Sequence, residues 1–246
     1  LSLAGKQIVV TRAPHQAGAL GSALEKRGAV PVAYPCIDVA LPGDMAELGV
    51  ALDHLDRYDW VVVTSPNTTR MLRNFVVDWS ALKIAAVGAA TAEAVRKDFG
   101  AEVAFTPSRQ IGDVLAAEMP VQPGESVFVP QSALADDTVA KTLRGRGATV
   151  NAVTAYCNVL GTGGVDLAAM LDRGEIDALT FTSGSTVENL KARLGYIPLD
   201  VPAACVGPAT GEVALAYGYN TVIFPESDYS LDGMLDALAG YFGPLL

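Results

Sequence analysis

Tyr58-Asp-Trp-Val-Val-Val-Thr-Ser-Pro-Asn-Thr-Thr-Arg-Met-Leu72 and Ile176-Asp-Ala-Leu-Thr-Phe-Thr-Ser-Gly-Ser-Thr-Val-Glu-Asn-Leu190 are two versions of one pattern. Each opens on an aspartate, Asp59 or Asp177. A short apolar run follows, then a Thr-Ser pair, then a helix-like stretch with further hydroxyls (Thr68-Thr69, Ser185-Thr186). An apolar run of four residues ending in a polar turn and a helix is a buried parallel strand leading into its crossover. The likeness extends outward in both directions. Ala86-Val-Gly-Ala-Ala-Thr91 matches Cys205-Val-Gly-Pro-Ala-Thr210, and Val103-Ala-Phe105 matches Val222-Ile-Phe224. Gly5 matches Gly124, and Gly28-Ala29 matches Gly147-Ala148, all at spacings of 118 or 119 residues. The 246-residue chain is a tandem duplication of one α/β unit.

The opening segment shows the same alternation. Ile8-Val9-Val10 is a strand, residues from about Gln16 to Arg27 form a helix with Leu20, Ala23 and Leu24 at helical spacing, and Gly28 closes it. Val30 to Tyr34 is the next strand, Leu48, Leu52 and Leu55 mark a helix, and Trp60 to Val63 a further strand. Strands alternating with helices predict parallel sheets covered by helices, one sheet per unit. Ligands of open α/β sheets bind outside the carboxyl ends of the strands. Two such edges facing one another would form a cleft.

Composition narrows the function. Half the residues are hydrophobic, enough for real cores, and the net charge is −10, from 17 basic against 27 acidic residues. Nucleic acids and anionic membranes demand a basic face, so neither is an expected partner. No apolar stretch approaches the roughly 18 residues of a membrane span. The first residues lack the basic and apolar regions of a secretion signal, and the expected location is the cytoplasm. Cys36, Cys157 and Cys205 have no metal-like spacing and read as reduced thiols. With only His15 and His54, a histidine metal site or a triad is not expected. There is no phosphate loop, no dinucleotide fingerprint and no nucleophile elbow, so the chemistry must run without metal, cofactor or covalent nucleophile.

What remains are polar groups at strand ends. Ser65 and Ser183 follow apolar strands, and Thr91 and Thr210 end the Val-Gly-x-Ala-Thr motifs, where a helix is expected to start at about the threonine. Each hydroxyl alone reads as a helix cap. Four such helix ends at matching places also suit a ligand with several carboxylates, because amides at helix N-termini attract anions without formal charge. Ser185 adds a hydroxyl beside Ser183. Arg12, just past the first strand, reads either as an ion-pair residue or as a carboxylate clamp. Tyr156, in Val153-Thr-Ala-Tyr-Cys157, reads either as core packing or as a phenol able to protonate a leaving hydroxyl. Tyr34, in Val32-Ala-Tyr-Pro-Cys36, is its counterpart in copy one.

These residues carry a family resemblance. Val9-Val-Thr-Arg-Ala13 with Gln16-Ala17, Gly28 to Pro35, Tyr58 to Ser65, Val87 to Ala92, the Tyr156 strand, Phe181-Thr-Ser183 and Val206 to Thr210 resemble, in order along essentially the whole chain, uroporphyrinogen-III synthases. The resemblance implies two lobes joined by a two-stranded antiparallel ladder. Lobe one would take residues 1–35 and 160–246, lobe two residues 38–155, with the ladder near 33–37 and 154–159. The repeat alone suggests a single cut near residue 120. The implied activity is that of a cofactor-independent, cyclising hydro-lyase. It dehydrates the linear tetrapyrrole hydroxymethylbilane and closes it to uroporphyrinogen III with ring D inverted. Tyr156 matches the general acid, and Ser65, Thr91, Ser183, Ser185 and Thr210 match positions that hold acetate and propionate groups. The expected state is a monomer. The chain departs from the pattern at Gln131 to Asp137, where many relatives carry a basic residue and this loop holds Asp136 and Asp137, and at Asn67, where some carry Arg. A different reading of the twin lobes is a non-catalytic sensor of a small anion or metabolite, and a third is one domain of a longer fusion.

Overall fold

The computed structural model describes residues 3–243. In chain order the elements begin β1 (Gln7–Val10), α1 (Pro14–Lys26), β2 (Val30–Ala33), β3 (Ile37–Ala40), α2 (Ala46–Asp53), β4 (Trp60–Val63), α3 (Pro66–Leu72) and β5 (Lys83–Ala86). They continue with α4 (Ala89–Phe99), β6 (Val103–Phe105), α5 (Gly112–Glu118), β7 (Ser126–Ser132), α6 (Thr138–Gly145) and β8 (Thr149–Leu160). The last are α7 (Leu167–Asp172), β9 (Ala178–Phe181), α8 (Gly184–Leu194), β10 (Ala203–Cys205), α9 (Pro208–Ala216), β11 (Val222–Ile223) and α10 (Leu231–Phe242). The chain divides into two compact units: Leu1–Asp38 with Val159–Leu246, and Val39–Asn158.

The first unit holds a five-stranded sheet of order β11-β10-β9-β1-β2, parallel at every pairing. The second sheet has order β3-β8-β7-β4-β5-β6, with the four pairings from β8 to β6 all parallel. The strands of one repeat do not stay together. β1 and β2 of the first copy lie beside β9, β10 and β11 of the second, while β7 and β8 of the second copy lie beside β4, β5 and β6 of the first. Counted in chain order within each unit, with β3 left out, the two sheets read 2-1-3-4-5 and 3-2-1-4-5, one common doubly wound order and the first five places of the other. They are one sheet threaded from two starting points. The direction of winding reverses between β1 and β9 in one and between β4 and β7 in the other. β3 and β8 carry the chain across the division between the units, and they are neighbours in the second sheet.

Both faces of each sheet are buried, which explains the unbroken apolar runs. β4 and β9 are buried at every residue. Side chains alternate between faces: Val61 and Val63 pack with Leu72, Ile84 and Phe128, while Trp60 and Val62 pack with Leu115, Val127 and Val129. In the other sheet Val9 packs with Leu179 and Phe181, and Ile8 and Val10 pack with Leu20, Leu24 and Leu238. Gly28 and Gly147, matched by the repeat, have φ of 81° and 88° just after α1 and α6, a left-handed turn that glycine enters without steric penalty. Four helix boundaries differ from expectation. α1 starts at Pro14 rather than Gln16, because proline is well placed in a first helical turn. α2 stops at Asp53, and Leu55 sits in a separate 3₁₀ turn, Leu55–Arg57. α4 and α9 start two residues before their threonines.

The aspartate that opens the repeated pattern fastens the amino ends of the central strands. The Asp59 carboxylate accepts from the Ser126 amide at 2.8 Å, and the Asp177 carboxylate accepts from the Gln7 amide at 2.8 Å and from Lys6 Nζ at 2.8 Å. Each therefore spans the point where winding reverses. Asp177→Ala should lower unfolding free energy by about 1.5–3 kcal/mol, the range for hydrogen bonds to a charged group. Urea denaturation reads this, and a loss below about 0.5 kcal/mol would show the latch to be idle.

Candidate active site

In the first unit, β1 ends in Thr11-Arg12. Thr11 is buried and donates its hydroxyl to the Thr180 carbonyl at 2.6 Å, and Thr180 donates to the Val9 carbonyl at 2.6 Å. The crossed pair locks β1 to β9 and fixes where the chain leaves the sheet. Arg12 emerges there. One terminal nitrogen donates to Gln16 Oε1 at 3.3 Å, while its Nε is buried with no acceptor among the described residues. Burial pulls the guanidinium pKa below its ordinary value. A desolvated arginine N–H without a partner is unfavourable, and an arriving carboxylate would satisfy it.

The neighbouring strand β9 ends in Thr182-Ser183. Ser183 is the N-cap of α8 in extended backbone, but its hydroxyl makes no capping bond and pairs instead with Ser185 Oγ at 2.9 Å. Thr186 turns its hydroxyl back to the Ser183 carbonyl at 2.7 Å. At the end of β10, Gly207 caps α9 and the first intrahelical bond runs from the Gly211 amide to Gly207 O at 3.0 Å. The Ala209 and Thr210 amides precede that bond and so have no acceptor within the helix. Thr210 is the third helical residue, and only 6% of it is exposed. Arg12, Ser183, Ser185 and Thr210 thus follow the carboxyl ends of three adjacent strands, β1, β9 and β10.

The second unit repeats part of this arrangement. Ser65 caps α3 in full, its hydroxyl accepting from the Asn67 amide at 3.1 Å. Gly88 caps α4, with the first bond from the Ala92 amide to Gly88 O at 2.9 Å, and Thr91 is 3% exposed. At both Val-Gly-x-Ala-Thr motifs the threonine therefore lies beneath the surface, and the exposed residues of the helix start are the two before it, Ala89-Ala90 and Pro208-Ala209. Thr68 and Thr69 are buried and structural, donating to the Pro130 carbonyl at 3.4 Å and to Asp98 Oδ2 at 2.8 Å. Tyr156 stands in β8 opposite Ser132, with its carbonyl accepting from the Ala133 amide at 2.8 Å. Its ring belongs to the core cluster of Val63, Phe128 and Val153. Ser65, Thr91 and Tyr156 lie on the second unit, and the other four candidates on the first.

Other groups take no part. Burial pushes the Cys36 and Cys205 thiols up to about 12, which keeps them protonated and unreactive. Among the described residues no group of three or more His, Cys, Asp or Glu is placed to hold a metal ion, and no helix is long and apolar enough to cross a membrane. Arg193, unnoticed in the sequence, stacks 3.8 Å from the Tyr34 ring centre and donates to the carbonyls of Pro35 and Gly163, which is a structural task.

A family model described as uroporphyrinogen-III synthase HemD matches residues 18–236. The chain belongs to the uroporphyrinogen-III synthase family. A porphyrin biosynthesis protein HemD of Ruminiclostridium josui is 32% identical over 96% of the chain, and the chain spans about half of that relative's length, 48%. The chloroplastic uroporphyrinogen-III synthase of Oryza sativa subsp. japonica is 28% identical, covering 94% of this chain and 79% of its own. Among solved structures, the uroporphyrinogen-III synthetase of Helicobacter pylori 26695 has the same fold at a TM-score of 0.56. It is 14% identical and covers 96% of this chain and 99% of its own. Membership in the uroporphyrinogen-III synthase family agrees with the resemblance read from the sequence motifs.

Proposed function

We propose that this chain catalyses the dehydrating closure of hydroxymethylbilane to uroporphyrinogen III. The family match over residues 18–236 carries the reading. The partnerless Arg12 Nε, just past the carboxyl end of β1, supports it, because the substrate is a polycarboxylate. In this reading Arg12, the α8 start with Ser183 and Ser185, and the amide of Thr210 hold acetate or propionate groups on the first unit. Ser65 and the amide of Thr91 do so on the second. Tyr156 donates a proton to the terminal hydroxyl, which leaves as water and gives an azafulvene cation. The substituted carbon of ring D attacks, the spiro intermediate fragments, and reclosure gives the type III ring with loss of one water overall. No step calls for a metal, a cofactor or a covalent bond to protein. The linear substrate closes unaided to the type I isomer, so the main task is to hold a different near-attack geometry. The same reading takes the enzyme to be a cytoplasmic monomer.

The test is to incubate purified protein with freshly made hydroxymethylbilane and separate the oxidised products by isomer. Type III product is expected. Type I alone, at the rate seen without protein, refutes the proposal.

A further inference from the structure

Gly88 and Gly207, 119 residues apart, cap α4 and α9 in extended backbone, with φ of −177° and −174°, which any residue can adopt. A side chain lies on each of them. A Cβ added to Gly207 would come within 3.4 Å of Cγ and Cδ1 of the Tyr229 ring, and one added to Gly88 within 2.7 Å of Gln110 Cγ. Gln110 and Tyr229 are also 119 residues apart. Each comes from the segment after the edge strand of its sheet, β6 or β11, and lies across the end of the strand next to it. The duplication has kept a cover at both places and changed its chemistry, from a carboxamide in one copy to a phenol ring in the other.

Tyr229 is not core material. It is 55% exposed, although one side of its ring rests on Gly207. Its hydroxyl donates to the Glu226 carbonyl at 3.2 Å, which limits the ring's freedom. A tethered aromatic ring with an exposed side loses little further entropy when a flat partner stacks on it, and it stands at the same sheet edge as Arg12. Stacked aromatic pairs gain stability beyond the area they bury.

We infer that Tyr229 is a substrate-positioning residue whose exposed ring stacks on one pyrrole ring of the linear tetrapyrrole. The inference rests on the proposed synthase activity, and the wild-type isomer assay tests that activity separately. Tyr229→Phe, Tyr229→Leu and Tyr229→Ala are compared by steady-state kinetics, product isomer ratio and melting temperature. Tyr229→Phe should keep KM within about twofold of wild type. Tyr229→Leu and Tyr229→Ala should raise KM about five- to tenfold and release more type I product. Leucine still covers Gly207, so that variant serves if alanine fails to fold. Wild-type KM and isomer ratio in Tyr229→Leu overturn the inference. So does a Tyr229→Phe variant as impaired as Tyr229→Leu, which would assign the effect to the bond with Glu226.

Discussion

Tyr156→Phe is expected to lower kcat for type III product about 100-fold while KM stays within about twofold. General acid catalysis contributes typically about 10²- to 10⁴-fold, and the hydroxyl is all that this change removes. The ring is the part of Tyr156 that packs, among Val63, Phe128 and Val153, and phenylalanine keeps it. Melting temperature should therefore move little, which separates a chemical role from a structural one. Single-turnover kinetics with isomer analysis make the measurement. As enzymatic closure slows, unaided closure takes a larger share, so the product should drift toward type I. A kcat equal to that of wild type removes Tyr156 from the acid role, whatever the stability of the variant.

Gly161→Ala is the stability counterpart, expected to lower unfolding free energy by about 3 kcal/mol or to prevent folding, at the upper end of overpacking effects. Gly161 is buried at the end of β8 and donates its amide to the Cys36 carbonyl at 3.2 Å. A Cβ there would collide with the Pro35 carbonyl and come within 2.8 Å of the Ile37 amide nitrogen. Both are backbone atoms, so no rotamer change relieves the clash. Gly163, two residues on, is the control: it has φ of 73° and nothing within 4 Å of an added Cβ. Its replacement by alanine should cost about 1–2 kcal/mol, from the left-handed conformation alone. Urea denaturation of the two variants side by side checks the contrast. A Gly161→Ala protein as stable as Gly163→Ala would mean that the two strands do not approach so closely.

Much of the fold was legible in the sequence. β4 and β9 stand out as buried runs because both faces of each sheet are covered. The repeat located their partners, since residues at matching places meet matching surroundings. Strand neighbours were not legible from the repeat. Similarity shows that Asp59 and Asp177 are equivalent, yet it cannot show that Asp177 bonds to Gln7, 170 residues away. Nor can it show that β1 leaves its own copy to pair with β9. In the candidate site, the capping role of Ser65 was visible because a hydroxyl after a strand and before a helix has one obvious use. The burial of Thr91 and Thr210 was hidden, because it depends on each helix starting two residues earlier, after a glycine cap with no side chain to announce it. Gln110 and Tyr229 were missed for another reason: they share a place and not a chemistry, and a search for repeats follows residue type.

The exchange of strands between copies bears on how such a chain could have arisen. A polypeptide holding a single repeat would carry one strand for each place of the five-stranded order, since β1, β2, β4, β5 and β6 are the counterparts of β7, β8, β9, β10 and β11. It could close one such sheet on itself, or form two as a homodimer in which each subunit lends its leading arm to the other. End-to-end fusion of two such genes would turn a concentration-dependent assembly into an intramolecular one. The two arms would then be free to diverge, as Arg12 and Gln131, 119 residues apart and so at matching places, have.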